Sequence, residues 1–561
     1  MHTRSTNRIT RGVAALLLAA ALVAQPALIA AQQGDWPSPP PFYAIRGARI
    51  VPVSGPVIED GTVVVANGVI TAVGANATIP AEAWVIDGKG LTVYPGLIDA
   101  LTNIGLPQPQ APAAGAATFE QAAQQAARQP IAMGPEDRPG TTSWENAADQ
   151  IKTDDKRIEN WRKQGFTTVV TAPDRGMICG TAAVINLAGN RPGDVVVRTP
   201  AALRLTLRPS GGFWSFPGSL MGVLAYLKQV FADADQSSNA WAMYSANPKG
   251  LERPAYDRSL GPLTDAVNNK WPVLIPATWS KEILRGMQLG EDLKVQTVIY
   301  GAHQGYAVAD AVAAKKVPVL VSLKWPEKEQ GGDPDAEEPL RTLRLRERAP
   351  STPAALHKAG VKFGFYSDGI ANPKDLFKNV KKAIDAGLPA DAALRALTLS
   401  PAEIFNVADR VGSIEAGKAA NLVVADGDLF EEKTKIKMVF VDGRKYEIRE
   451  PGRPEEKPSI NLTGTWKLSV NMPQGAQEST AELKMADDGT LSGSVTGQRG
   501  TASLSSGWVS GNNFSFTVSI SMGPRTVDVV YTGAVEGNKM TGSASMGPMS
   551  IQFTGTRPEG N

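Results

Sequence analysis

The stretch Leu91-Thr-Val-Tyr-Pro-Gly-Leu-Ile-Asp-Ala-Leu-Thr-Asn103 decides the fold. Leu91, Val93, Leu97 and Ile98 give it the apolar character of a buried strand, broken at Pro95-Gly96 and ending in a polar mouth from Asp99 to Asn103. Upstream, from Phe42 to about Gly90, short strands alternate with tight turns. Residues 57–65 read as strand, Asp-Gly turn, strand, and Asn67-Gly68 is a second turn signal before the strand at 69–73. Asp87-Gly-Lys-Gly90 then breaks the chain ahead of the opening strand.

Downstream the pattern changes to strand and helix in alternation. Strands are expected at 165–172, 202–207, 273–277, 297–301, 317–321 and 361–366, with helices at 154–164, 220–232, 306–314 and 354–359 between them. Such alternation implies a parallel sheet. With the opening strand this makes seven of the eight strands that a closed α/β barrel needs, and the fourth is expected between Leu207 and Trp271. Two further helices, 375–386 and 390–397, follow the last strand.

The run from Pro95 to Asn103 resembles the first barrel strand of the amidohydrolase superfamily, Pro-Gly-hydrophobic-hydrophobic-Asp-x-His-x-His. Arg410-Val-Gly-Ser-Ile-Glu-Ala-Gly-Lys-Ala-Ala-Asn-Leu-Val-Val424 resembles the family's Gly-Ser-Ile-x-x-Gly-Lys-x-Ala-Asp-Leu-Val-Val segment, with Asn421 at the aspartate position. Ser367-Asp368-Gly369 and Leu397-Thr-Leu-Ser-Pro-Ala402 resemble its eighth strand end and the segment after it. The resemblance covers about residues 42–447. It implies an α/β fold: a (β/α)8 TIM-like barrel (92–408) and a composite β-sandwich built from both sides of it (42–91 and 409–448). It also implies hydrolysis of non-peptide C–N bonds, of the cyclic amide or acyl-amino-acid type, at a divalent metal such as zinc.

In the family that metal is held by two histidines of strand one, a lysine or glutamate of strand four, a histidine each from strands five and six, and an aspartate of strand eight. Here strand one offers Leu101 and Asn103, and strand five offers Ile275-Pro276-Ala277-Thr278. Strand six ends in Gly301-Ala302-His303, with the histidine a residue or two late, and Asp368 matches the aspartate. A catalytic zinc takes about three protein ligands. The family cofactor's ligands are thus mostly absent, and no metal residue and no cofactor are assigned. The chain has three histidines; His2 is in the N-terminal segment, and His357, on a helix before the last strand, reads as a surface or packing residue. No His-x-His or Cys-x-x-Cys spacing occurs.

In a barrel of this kind the site lies at the C-terminal ends of the strands. Asp368 is the candidate general base, with His303 or Arg175 as the group that would stabilise an oxyanion. Asn103, Asp174, Arg175, Arg208, Thr278 and Lys324 are candidate binding residues at the strand mouths, with a cationic rim suited to a small carboxylate or peptide-like ligand. For each of these except Asp368, simple satisfaction of loop backbone or solvent is the alternative. Three functions stay open: a hydrolase working with little or no metal, a non-catalytic ligand-binding protein using the barrel pocket, and a surface-docking protein acting through its C-terminal domain.

The formal net charge of +2 argues against nucleic acid as a partner, and the single cysteine, Cys179, excludes an internal disulfide framework. Arg4, Arg8 and Arg11 precede an apolar run from Val13 to Ala24, and Ala27, Ala30 and Ala31 offer cleavage points. Residues 1–31 therefore read as a signal peptide, 32–41 as a leader, and the expected destination is the periplasm or the exterior. The run is shorter than the ~20 residues of a membrane span, so no transmembrane segment is expected in the mature chain. Residues 107–149 read as an insertion, helical around 119–128. A charged, proline-rich linker (449–460) leads to a C-terminal antiparallel β sandwich or barrel (461–561). Gly464-Thr-Trp466 and the closing Phe553-Thr-Gly-Thr-Arg557 give that domain a lipocalin-like look. The oligomeric state stays open.

Overall fold

The structure is a computed structural model that describes residues 42–108, 132–209, 215–328, 337–370, 372–448, 457–472, 475–486, 489–497, 500–522, 525–546 and 549–557. The expected signal peptide, leader and helix at 119–128, and most of the linker, lie outside the described residues. The chain divides into two compact units, one of residues 1–326 and 341–448, the other of residues 327–340 and 449–561.

The first unit opens with β1 (Tyr43–Ile50), β2 (Ile58–Ala66), β3 (Val69–Gly74), β4 (Trp84–Asp87) and β5 (Thr92–Pro95). Next come β6 (Leu97–Thr102), β7 (Phe166–Thr171), β8 (Ile178–Asn186), β9 (Val196–Leu205), β10 (Val273–Ala277), β11 (Thr297–Gly301), β12 (Val319–Ser322) and β13 (Phe363–Tyr366). It ends with β14 (Leu422–Ala425), β15 (Ile436–Val441) and β16 (Arg444–Glu447).

Strands from both chain ends meet in one eight-stranded sheet, ordered β16-β15-β14-β5-β1-β2-β3, with β4 also on β1. The composite element is therefore a single sheet. Ile45, Val63, Ile70, Val93, Leu422 and Phe440 fill its core. Asp60-Gly61 is not the expected turn. β2 runs straight through it, and Gly61 is needed because a β-carbon there would collide with the Ile50 side chain on the paired strand. Asn67-Gly68 does turn β2 into β3, both residues at positive φ.

The second sheet contains β6 to β13 in sequential order. Every neighbouring pair is parallel except those of β8, which is antiparallel to both β7 and β9. This corrects the expected strand set. Among the described residues between Leu207 and Trp271 there is no fourth strand, and the structure has there the long helix Leu220–Ala246. The eighth strand is β8. Residues 172–177 joining it to β7 are far fewer than the dozen or so that a parallel crossover needs, so the chain can only turn back. β8 is buried along its whole length and shows no alternation. Gly180 within it lies at φ +117°, and a β-carbon there would strike the Glu145 carbonyl oxygen of the insertion.

The edge strands β6 and β13 come together without a ladder. Ser367 N donates to Asp99 Oδ1 (3.0 Å) and Ile98 N to the Leu397 carbonyl (2.7 Å). The described part of this unit is a TIM-barrel-like α/β fold, and no described helix is long and apolar enough to cross a membrane.

A buried polar knot ties the two sheets of this unit together. Asn421 Nδ2 donates to Thr168 Oγ1 and Asn186 Oδ1, Asn186 Nδ2 donates to Asp442 Oδ1, and Asn421 Oδ1 accepts from Asp442 N. An amide at 421 can both give and receive here, which an aspartate could not.

The second unit is a closed antiparallel barrel. Its strands are β17 (Gly464–Met472), β18 (Gly475–Met485), β19 (Leu491–Gly497), β20 (Gly500–Ser510), β21 (Asn513–Met522), β22 (Arg525–Glu536), β23 (Lys539–Met546) and β24 (Met549–Thr556). β24 closes on β17. Trp466, Phe514, Phe516, Tyr531 and Phe553 occupy its core, with Phe516 and Tyr531 stacked at 4.8 Å. The two lipocalin-like signals meet: the Arg557 guanidinium lies 4.8 Å over the Trp466 ring.

Candidate functional site

A cavity of about 580 Å³ opens at the C-terminal ends of the first unit's strands. Leu101, Thr102 and Asn103 from β6, Arg204, Thr206 and Arg208 from β9 and its exit, and Pro276 to Thr278 from β10 line it. Tyr300 and His303 from β11 and its exit, and Tyr366 and Asp368 from the end of β13, complete the wall. Of the expected site residues it gathers Asp368, His303, Asn103, Asp174, Arg208 and Thr278. Arg175 and Lys324 do not line it. Both are exposed: Arg175 lies in the turn into β8, and Lys324 follows β12 with its backbone N–H on Ser322 Oγ (3.1 Å).

Asp368 sits at φ +50° and Gly369 at φ +74°, a left-handed pair that Asp and Gly both tolerate. The turn brings the carboxylate beside β12, where Ser322 Oγ donates to Oδ2 at 2.8 Å. Asp174 is met by Asn103 Nδ2 at 3.5 Å, and Asn103 Oδ1 accepts from Arg157 Nη1 at 2.7 Å. Arg157, which is chelated by Asp155, thus fixes the amide of Asn103. Thr278 N and Trp279 N both donate to Glu282, which caps the helix Ser280–Asp292.

His303 follows two consecutive positive-φ residues, Gly301 and Ala302, so it leaves the strand line and packs on Trp325 at 5.9 Å. It is 9% exposed, and its Nε2 has no partner. Burial holds its pKa below the ordinary value, against the Asp368 charge and the backbone of Ser322 and Lys324. His357 is exposed on the helix Thr352–Lys358, and burial raises the Cys179 thiol to about 12.

The donors present do not fit a catalytic divalent cation. Leu101 is a buried wall residue and Pro276 carries no donor. The strand that leads to Arg208 is fourth in sheet order rather than third, and its end carries Arg204 and Thr206 with no lysine or glutamate. Among the described residues no three His, Cys, Asp or Glu side chains are grouped to hold a metal.

Three residues near this cavity escaped the reading of the sequence. Arg204, Tyr300 and Tyr366 follow the buried apolar residues Leu203, Ile299 and Phe365, and only the strand register shows which of each pair faces the cavity. The Arg204 guanidinium lies 5.6 Å from the Tyr300 ring, and the Tyr300 and Tyr366 rings meet edge to face at 6.2 Å. Beneath the cavity, Asp99 is 1% exposed and accepts from Trp161 Nε1 (3.2 Å) as well as Ser367 N. Burial raises its pKa to about 6, against those neutral hydrogen bonds.

Comparison with known proteins bears on this architecture. Residues 308–446 match the model of the amidohydrolase family. A 95-residue stretch is 32% identical to the amidohydrolase tasK of Hapsidospora irregularis, covering 17% of this chain and 10% of that one. The chain thus spans about a tenth of the length of that curated relative. The crystal structure of an amidohydrolase from Thermotoga maritima is 24% identical with a TM-score of 0.60, covering 72% of this chain and all of that one. That likeness concerns the fold, and the family match spans β12, β13 and the returning strands of the composite sheet. Over residues 308–446 the chain carries the pattern of the amidohydrolase family, and its first unit is similar in fold to the Thermotoga maritima amidohydrolase.

Proposed function

We propose that this chain is a ligand-binding member of the superfamily whose barrel cavity takes a small organic molecule without a catalytic metal. The observation that carries this reading is the chemistry of the cavity wall. A metal site needs imidazole and carboxylate donors grouped on one point. The wall carries His303, Asp174, Glu282 and Asp368, but among the described residues no three of them are grouped to hold an ion, and Leu101 and Pro276 stand where strands one and five would supply ligands. The experiment is metal content of the full chain by mass spectrometry, with Asp368→Ala alongside. A folded protein without a stoichiometric divalent ion is the expected result. A tightly bound ion that Asp368→Ala loses, with chelator-sensitive hydrolysis of a cyclic amide or acyl amino acid, would overturn the reading.

A second reading, metal-free hydrolysis of a C–N bond, is favoured by one contact. Ser322 holds the Asp368 carboxylate at the same cavity that His303 lines. General acid–base catalysis alone supplies typically ~10²–10⁴-fold, so this reading expects slow turnover that chelators spare and Asp368→Asn abolishes. Export is part of the proposal, supported by the basic and apolar N-terminal segment. Mass measurement of the protein isolated from the envelope fraction tests for cleavage near Ala31.

A further inference from the structure

The charges around the cavity are not balanced alike. Each of its three carboxylates has a neutral partner: Asp368 has the Ser322 hydroxyl, Asp174 the Asn103 amide, and Glu282 the backbone N–H groups of Thr278 and Trp279. The two guanidinium groups are different. Arg208 is exposed at the rim and makes no hydrogen bond or ion pair with the described residues. Arg204 is drawn back between β8 and Tyr300. Its Nη1 reaches the carbonyls of Ala172 and Pro173 only at 3.4 Å, its Nε is buried with no partner, and no carboxylate of the described residues lies within ion-pair distance, Tyr300 and Asp174 favouring its charge from farther off.

An arginine side chain cannot shed its proton in a protein. A buried cation without a counter-charge is unfavourable, which is why buried charges are otherwise paired. Leu203 and Leu205 on either side of Arg204 are fully buried on the opposite face of β9. Strand alternation therefore commits the side chain at 204 to the cavity face. A Leu or Met there would fill the same space without the penalty, so the charge calls for an explanation in what the cavity receives. A guanidinium matches a carboxylate in shape, through two parallel N–H bonds, and it does so best where water is excluded.

We infer that Arg204 is the anion anchor of this cavity, gripping the carboxylate of a small organic acid whose body lies against Leu101, Tyr300 and Tyr366. Arg208 at the rim draws the same charge inward. This rests on the reading of the cavity as a ligand site and adds the ligand's chemical class and its anchor. Tyr300, whose hydroxyl donates to the Leu205 carbonyl at 2.8 Å, keeps its ring face beside the guanidinium and so holds the anchor in place.

The test uses the full chain, with sodium benzoate as probe and benzamide as its neutral counterpart, at matched ionic strength. Melting is followed by calorimetry and binding by titration. Benzoate should raise the melting midpoint of the first unit, and benzamide should not. Arg204→Met should weaken benzoate at least about tenfold. Arg204→Lys should keep a weaker benzoate response, and Arg208→Met should slow association while leaving the preference for the carboxylate. The inference is overturned if benzoate gives no shift, if Arg204→Met binds it as well as the parent, or if benzamide binds equally. The two proposals fail separately. A stoichiometric metal with Arg204-dependent benzoate binding refutes the metal-free reading and leaves the anchor. A metal-free chain that does not discriminate between the two probes refutes the anchor alone.

Discussion

Two eight-stranded sheets in this chain are closed by different means. In the C-terminal barrel the last strand pairs with the first through backbone hydrogen bonds, Lys467 to Val470 against Phe553 to Thr556, and the interior is packed with aliphatic side chains around a group of aromatic rings. In the barrel-like sheet of the first unit, β6 and β13 share no ladder. The buried Asp99 of β6 accepts from Ser367 N just past β13, Ile98 N bonds instead to the Leu397 carbonyl after the helix Ala390–Ala396, and the strand ends leave a cavity of about 580 Å³. The first arrangement rests on side-chain packing inside a closed ladder. The second keeps polar and charged side chains at its mouth and closes its seam with a group that titrates.

The largest effect that would break this contrast belongs to the packed barrel. Trp466 is fully buried, with its indole N–H on the Leu462 carbonyl at 3.0 Å. Trp466→Ala should cost about 3–5 kcal/mol, the range for emptying a large aromatic site. In calorimetry of the full chain it should lower the melting of the C-terminal unit and leave that of the first unit unmoved. A shared fall of both transitions would show that the units unfold together.

The contrast also explains what the sequence made legible. The packed barrel is written in alternation, as in Phe514-Ser-Phe-Thr-Val, and in turn residues such as Gly537-Asn538, so strands and turns could be placed by pattern. In the first unit, Pro95 to Asp99 and Arg410 to Val424 carried the resemblance that joined two distant segments into one sheet. β8 was missed because burial on both faces erases periodicity, and Asp60-Gly61 misled because the glycine answers to Ile50 rather than to a turn. Asp368 could be found from Ser-Asp-Gly. Arg204 could not, because Leu-Arg-Leu-Thr-Leu-Arg contains two arginines on one strand phase, and only the folded register shows that one is half-buried and the other exposed.

The seam offers a smaller and pH-dependent effect. Asp99 titrates at about 6 in the folded chain instead of its ordinary 3.8, because burial disfavours the carboxylate. Between these values the folded protein binds more protons than the unfolded chain, so stability falls as pH rises. About 3 kcal/mol present near pH 4 should be gone above pH 6, at 1.36 kcal/mol per pKa unit. Asp99→Asn cannot titrate, and its amide would turn a second donor towards Trp161 Nε1 or Ser367 N. The stability difference between parent and variant should therefore be largest near pH 4 and shrink by about 3 kcal/mol towards pH 7. A difference that does not change with pH would mean that the seam aspartate is charged throughout.

The smallest effect sharpens the other side of the comparison, the way the packed barrel is finished. Arg557 stacks on Trp466, bonds Asn538 Oδ1 through Nε at 3.2 Å, and donates through Nη1 to the carbonyls of Asn461 and Thr463. It joins the chain end of the barrel to its beginning where the strand ladder stops. Because these bonds are exposed, solvent can replace them, and what remains is chiefly the stacking of a cation on an indole face, about 0.5–1 kcal/mol at an exposed site. Arg557→Met keeps the apolar stem over the ring and removes the charge. It should lower the stability of the C-terminal unit by about 1 kcal/mol in urea unfolding, with an unchanged slope, since the barrel still closes through β17 and β24. A loss as large as that of Trp466→Ala would make the arginine a part of the closure itself, and the ladder insufficient without it.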